Sequence, residues 1–144
     1  MRDIEPRKTP CYCMNFRRMA NVLTKFYDSR LASADLTANQ LSLLIDIQSI
    51  EPCNRSELAR CARLDRTTVI RNLEPLRKKG LIEETQPGSS IRLTPQGIEA
   101  VNTGSAIWSQ AQREIKGLFD TESRAALRTA FGKIDEIESL IYND

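Results

Sequence analysis

Between Leu36 and Leu93 three short helical periods are followed, with no long linker, by two runs of strand-like alternation. This order constrains the fold more than any other feature of the chain. Leu41, Leu44, Ile45 and Ile47 recur at helical spacing after Leu36-Thr37-Ala38-Asn39-Gln40 and stop before Glu51-Pro52. Leu58, Ala59, Cys61, Ala62 and Leu64 make a second run, with Ser56 as its expected cap and Glu57 at the positive end of the helix dipole. A third, from about Arg66 to Lys79, turns Val69, Ile70, Leu73 and Leu76 inward and closes on Gly80 behind Arg77-Lys78-Lys79. Leu81–Thr85 and Ser90–Leu93 then alternate on either side of Gln86-Pro87-Gly88-Ser89, which reads as a hairpin.

Longer helices bracket this block. Phe16, Met19, Ala20, Leu23, Phe26, Tyr27 and Leu31 predict a helix over roughly 10–33, with Thr9 as its N-cap and Pro10 in its first turn. Beyond Thr94-Pro95 one helix carries Ile98, Val101, Trp108, Ala111, Ile115, Leu118 and Phe119. A last helix carries Leu127, Phe131, Ile134, Ile137 and Ile141. Trp108, Phe119 and Phe131 fit a core and dimer interface better than a cofactor pocket.

Composition removes most chemistry. None of the 144 residues is histidine, which takes away His-containing triads, haem sites and the usual zinc ligand sets. Glu83 and Glu84 alternate faces of a strand and do not converge. No catalytic residue, cofactor or metal is expected, and the chain does not read as an enzyme. Apolar runs stop well short of the roughly 18 residues of a membrane span. No membrane partner is expected, and the expected location is cytoplasmic. Cys11, Cys13, Cys53 and Cys61 lie in or beside helical patterns, so reduced thiols are expected.

Charge is distributed unevenly. From 54 to 80 there are eight cations against three carboxylates, a net +5, while 95–144 carries −3 and the whole chain only +2. Two short helices joined by a tight connection and followed by a hairpin, with the positive charge concentrated over 54–80, make the layout of a winged helix-turn-helix. The fold class is therefore mainly α: a winged helix-turn-helix with a two-stranded β-hairpin wing and N- and C-terminal dimerisation helices. Its expected parts are an arm and dimerisation helix over 1–35, a DNA-binding domain over 36–97 and dimerisation helices over 98–144. Thr67, Thr68, Arg71 and Asn72 are the expected base readers. Arg can make two hydrogen bonds to guanine, Asn two to adenine, and a Thr methyl can meet that of thymine. Arg55, Ser56, Arg66 and Arg77 are the expected phosphate contacts.

The segments Leu36-Thr37-Ala38-Asn39-Gln40-Leu41-Ser42-Leu43-Leu44, Ser56-Glu57-Leu58-Ala59, Arg66-Thr67-Thr68-Val69-Ile70-Arg71-Asn72-Leu73-Glu74-Pro75-Leu76, Gly80-Leu81-Ile82 and Leu93-Thr94-Pro95-Gln96-Gly97 together resemble the MarR family of transcriptional regulators. The likeness covers roughly 11–119. It implies a homodimer held by the first and last two helices, bound to a pseudo-palindromic double-stranded DNA operator. It also implies repression relieved by a small ligand or by oxidation. One departure concerns the wing. The family's longer loop carries an Asp and a minor-groove Arg, where this chain has only Gln86-Pro87-Gly88-Ser89-Ser90, and Arg92 does not match the tip position.

Cys13 and Tyr27 match the reactive cysteine and one partner tyrosine of the family's organic-hydroperoxide-sensing branch, whose further tyrosines are here Arg17 and Ala38. Cys13 with Tyr27 and Cys11 therefore form the candidate redox sensor, with Arg17 one helical turn from Cys13. About 21 Å of helix axis separates Cys13 from Tyr27, so a direct bond needs a second subunit or a bend. On a helix, Cys11 and Cys13 would point about 200° apart. The alternative reading makes Cys53 and Cys61 core fillers and Cys11 and Cys13 interface residues. An apolar or phenolic effector between the dimerisation helices and the DNA-binding domain is also expected. The competing function is a thiol-based redox or protein-interaction dimer that has lost specific DNA binding.

Overall fold

The computed structural model describes residues 4–142. Helix α1 (Tyr12–Leu31) starts just beyond the predicted cap: Cys11 takes the N-cap position in an extended conformation. Thr9 lies outside the helix, its Oγ1 accepting the Cys11 N–H at 3.2 Å while the Asn15 side-chain amide donates to its carbonyl at 2.9 Å. A 3₁₀ turn, Ala32–Ala34, leads to α2 (Ala38–Ile50). There the Thr37 hydroxyl accepts the Gln40 N–H and the Gln40 side chain accepts the Thr37 N–H, so two donors without intrahelical partners are satisfied reciprocally. α2 buries Leu43 in addition to Leu41, Leu44 and Ile47, and Ile45, expected inside, is exposed.

Asn54, rather than Ser56, caps α3 (Arg55–Ala62): its Oδ1 accepts the N–H groups of Ser56 and Glu57, both at 2.9 Å, and Glu57 returns a bond to the Asn54 N–H. The asparagine side chain reaches the second and third helical amides from outside the helix, a geometry closed to Ser56 within it. Arg63 in the left-handed conformation (φ 50°) ends α3, and Asp65 caps α4 (Arg66–Lys78). Strands β1 (Ile82–Gln86) and β2 (Ser89–Leu93) pair antiparallel with Ile82 opposite Leu93, Glu84 opposite Ile91 and Gln86 opposite Ser89. Gly88, at φ 78°, supplies the positive dihedral of the two-residue loop. The sheet gains a third edge that the sequence pattern does not announce. Cys53 exchanges both backbone hydrogen bonds with Ile91 (3.1 and 2.8 Å), and Glu51 Oε2 accepts the Leu93 N–H at 2.7 Å.

Helix α5 (Pro95–Gly117) begins at a tight junction. Thr94 Oγ1 accepts the Gly97 N–H and donates to the Gly80 carbonyl, and a Cβ added at Gly97 would lie 2.0 Å from the Leu81 carbonyl oxygen. The Leu93-Thr94-Pro95-Gln96-Gly97 run is thus a cap followed by a close backbone approach.

The chain forms two compact units, the first ending at Trp108 and the second beginning at Ser109. One core fills the first. Leu31, Leu44, Ile47, Leu58, Val69, Leu73, Leu76 and Ile91 are fully buried there, and Cys53 packs with them. The second unit holds the end of α5, then α6 (Thr121–Phe131) and α7 (Ile134–Tyr142). The single last helix of the sequence reading is two helices. They break at Gly132-Lys133, where the Lys133 N–H bonds the carbonyl three residues back, that of Ala130. Neither α6 nor α7 buries a residue, and Phe131, Ile134, Ile137, Leu140 and Ile141 are exposed. Among the described residues no helix is long and apolar enough to cross a membrane.

Candidate nucleic-acid interface

Val69, Leu73 and Leu76, at steps of four and three, hold one side of α4 in the core, which turns the opposite side outward. Thr67, Ile70, Arg71 and Glu74 share that outer side, and Arg66 is exposed at its start. Ile70 is the correction here: 41% exposed, it stands among the expected base readers and not in the core. The spacing held the signal, since Ile70 lies 100° off the stripe that Val69, Leu73 and Leu76 define. An apolar group on this face can meet a thymine methyl.

Asp65 sets the start of the helix. Its Oδ1 accepts the Thr68 N–H at 2.8 Å and its Oδ2 the Thr68 hydroxyl at 2.6 Å. These bonds to Thr68 hold the Asp65 carboxyl below the usual aspartate pKa. Thr68 and Asn72 are half-buried and turn toward α2. With Asn39, Ser42, Asp46 and Arg71 they line a groove of about 380 Å³, in which burial pushes the Asp46 carboxyl up.

The four expected phosphate contacts divide. Ser56 and Arg66 are exposed at the starts of α3 and α4. Arg55 and Arg77 instead converge on Glu84, a β1 residue weighed from the sequence only as a carboxylate that does not converge with Glu83. Arg77 Nη2 lies 3.0 Å from Glu84 Oε1, and Arg55 Nη2 lies 3.5 Å from Oε2, which also accepts the Gly88 N–H at 3.0 Å. Arg77 bonds Glu74 as well. Burial works to raise the Glu84 pKa. The Gly88 N–H, the Arg77 hydrogen bond and the charges of Arg77 and Arg55 outweigh it and hold the carboxyl below the usual glutamate value. Arg92 is exposed opposite Glu83 on the outer face of the hairpin, away from the loop tip.

The candidate redox residues belong to α1 and its N-cap. Cys13 is exposed in the first turn of α1, with Arg17 Nη2 3.9 Å from its Sγ. Tyr27 lies further along the same unbroken helix, half-buried against the core and edge-on to Phe26. Cys11 is exposed and, as the N-cap, stands outside the helix, so the 200° separation expected from helical spacing does not apply. Cys53 is a core filler as the alternative reading has it, its thiol pushed up to about 11 by burial and then by the charges of Glu57, Cys61 and Glu51. Cys61 is not, since it is exposed, with Sγ 4.0 Å from Ser49 Oγ. Among the described residues no three Cys, Asp or Glu side chains are grouped to hold a metal ion.

A family model described as MarR family matches residues 36–92. The crystal structure of the M. tuberculosis transcriptional regulator MosR is 31% identical and superposes with a TM-score of 0.74, over 89% of this chain and 97% of that one. MosR in complex with DNA gives 32% identity and a TM-score of 0.75, over 88% and 98%. The S. aureus MepR–DNA complex shares the fold at 20% identity, with a TM-score of 0.74 over 92% and 99%. A comparison with curated proteins finds no match.

Proposed function

The chain belongs to the MarR family of transcriptional regulators, DNA-binding proteins and not enzymes, and from that premise we propose that it is a dimeric, sequence-specific operator-binding repressor. The observation that carries this is the outward face of α4. Thr67, Ile70 and Arg71 project from a helix whose start is fixed by Asp65 and whose back is fixed by the core. Arg71 reads guanine, Thr67 and Ile70 meet bases by shape and methyl contact, and Ser56 and Arg66 hold phosphates. The 32%-identical MosR has been solved with DNA, which supports the same use of this fold here.

Dimerisation is supported by what one chain leaves uncovered. α1 buries only Leu31 and exposes Tyr12, Phe16 and Val22, while α7 exposes nearly all its apolar residues. Release from DNA follows binding of a small ligand or oxidation of exposed thiols, Cys13 beside Arg17 foremost. Related folds with bound small molecules include CouR with p-coumaroyl-CoA, at 19% identity.

Fluorescence anisotropy of the reduced protein against DNA upstream of its own gene, with a scrambled duplex as control, tests the reading. The expected result is operator preference, with Arg71→Ala losing about 1–3 kcal/mol of discrimination. Equal affinity for both duplexes would remove the repressor function. Repeating the titration after peroxide, with wild type and Cys13→Ser, tests the thiol.

A further inference from the structure

Glu84 occupies an inward position of β1, in phase with Ile82, where the alternation calls for an apolar residue. Its side chain is only 10% exposed. The donors around it come from three elements: Arg55 from the first turn of α3, far along the chain, Arg77 from the end of α4 and the Gly88 N–H from the adjoining wing turn. Arg55 is built in beneath that turn. Its N–H donates to the Gly88 carbonyl (3.4 Å), a Cβ at Gly88 would meet its guanidinium at 3.3 Å, and its Nε is buried with no hydrogen-bond partner among the described residues. Two guanidinium groups and a backbone N–H make an anion cradle of the kind that otherwise takes a phosphate.

We propose that Glu84 fills this cradle from inside the protein, making Arg55 and Arg77 positioning residues that clamp the short wing onto α3 and α4, and not phosphate contacts. The clamp fixes the turn relative to α3 and α4. Only its consequence for DNA rests on the operator-binding reading. The clamp itself is a property of the free protein.

Salt dependence separates the two roles, because each phosphate neutralised adds about 0.9 to the slope of log K against log salt. With wild type, Arg77→Gln, Glu84→Gln and the double variant on operator and scrambled duplexes, Arg77→Gln alone should leave the slope unchanged. The isosteric Glu84→Gln should steepen it by about 0.9 for each arginine released, raise scrambled-duplex affinity and narrow the operator preference. Adding Arg77→Gln to Glu84→Gln should take back about 0.9. A loss of about 0.9 from Arg77→Gln alone, or no change from Glu84→Gln, overturns the proposal. Amide exchange at Gly88 in the free protein gives the independent readout, faster in Glu84→Ala than in wild type at equal thermal stability. Unchanged exchange overturns the clamp. If neither duplex binds, the operator-binding reading falls and the Gly88 exchange still decides the clamp.

Discussion

Gly97→Ala should destabilise the protein although it replaces glycine by the best helix former. The added Cβ would sit 2.0 Å from the Leu81 carbonyl oxygen and 3.4 Å from the Leu93 Cβ. Real Cβ contacts essentially never fall below 3.0 Å, so α5 or the Leu81 peptide must move by an ångström or more. Moving the peptide also disturbs the Thr94 N–H bond to the same oxygen, now 3.1 Å long. Overpacking costs about 1–3 kcal/mol and a weakened hydrogen bond about 1 kcal/mol, offset by at most about 1 kcal/mol of helix propensity. The expected net loss is about 1–3 kcal/mol. Gly117→Ala is the control: nothing lies within 4 Å of its Cβ, and a gain of about 0.5 kcal/mol is expected. Urea unfolding followed by far-ultraviolet circular dichroism, at one protomer concentration, measures both. If Gly97→Ala unfolds at or above the wild-type midpoint, the close approach at the α5 junction is not a constraint.

Asp65→Ala should lower the urea midpoint by removing the cap on Thr68, with Asp65→Asn restoring most of it. In native protein an aromatic disulfide reagent should modify Cys11, Cys13 and Cys61, and reach Cys53 only on unfolding. Labelling of Cys53 as fast as Cys61 would contradict its burial. Since the folded Cys53 value, about 11, lies above the unfolded thiol value, its contribution to stability is complete below about pH 8.5 and is lost as pH rises toward 11. Cys53→Ala should remove that alkaline loss of urea midpoint. Ile137→Asp and Leu140→Asp should shift sedimentation from dimer to monomer, and a dimer indifferent to both would take α7 out of the interface.

The winged helix-turn-helix was legible because its signals are local. The cap before α2 within Leu36–Leu41, the Gly80 terminator and the Pro87-Gly88 loop are each fixed by residues within a few positions of one another, although the reciprocal Thr37–Gln40 box at that cap emerges only in the structure. The failures follow two physical patterns. Choosing among neighbours on a stripe depends on tertiary packing, which is why Leu43 replaces Ile45 in the core of α2 and Ile70 turns out of the core of α4. Caps compete over one or two residues, and the winner is the side chain that reaches the second and third amides, Asn54 and not Ser56. The pairing of Cys53 with Ile91 has no local signature, because a single bridge shows no alternation.

The site was legible in kind and incomplete in charge. Summing charge along the chain assigns +5 to 54–80 and leaves the hairpin slightly acidic, which treats Arg55 and Arg77 as cations available to DNA. Folding crosses that boundary. It carries the Glu84 carboxylate between two of those arginines, so the tally overstates the free positive charge of 54–80. Arg66 and Arg71 on α4 and Arg60 on α3 remain outward-facing cations. On the operator-binding reading proposed above, a short wing held by Glu84 serves as a fixed wall beside α4 without carrying a cation into the minor groove.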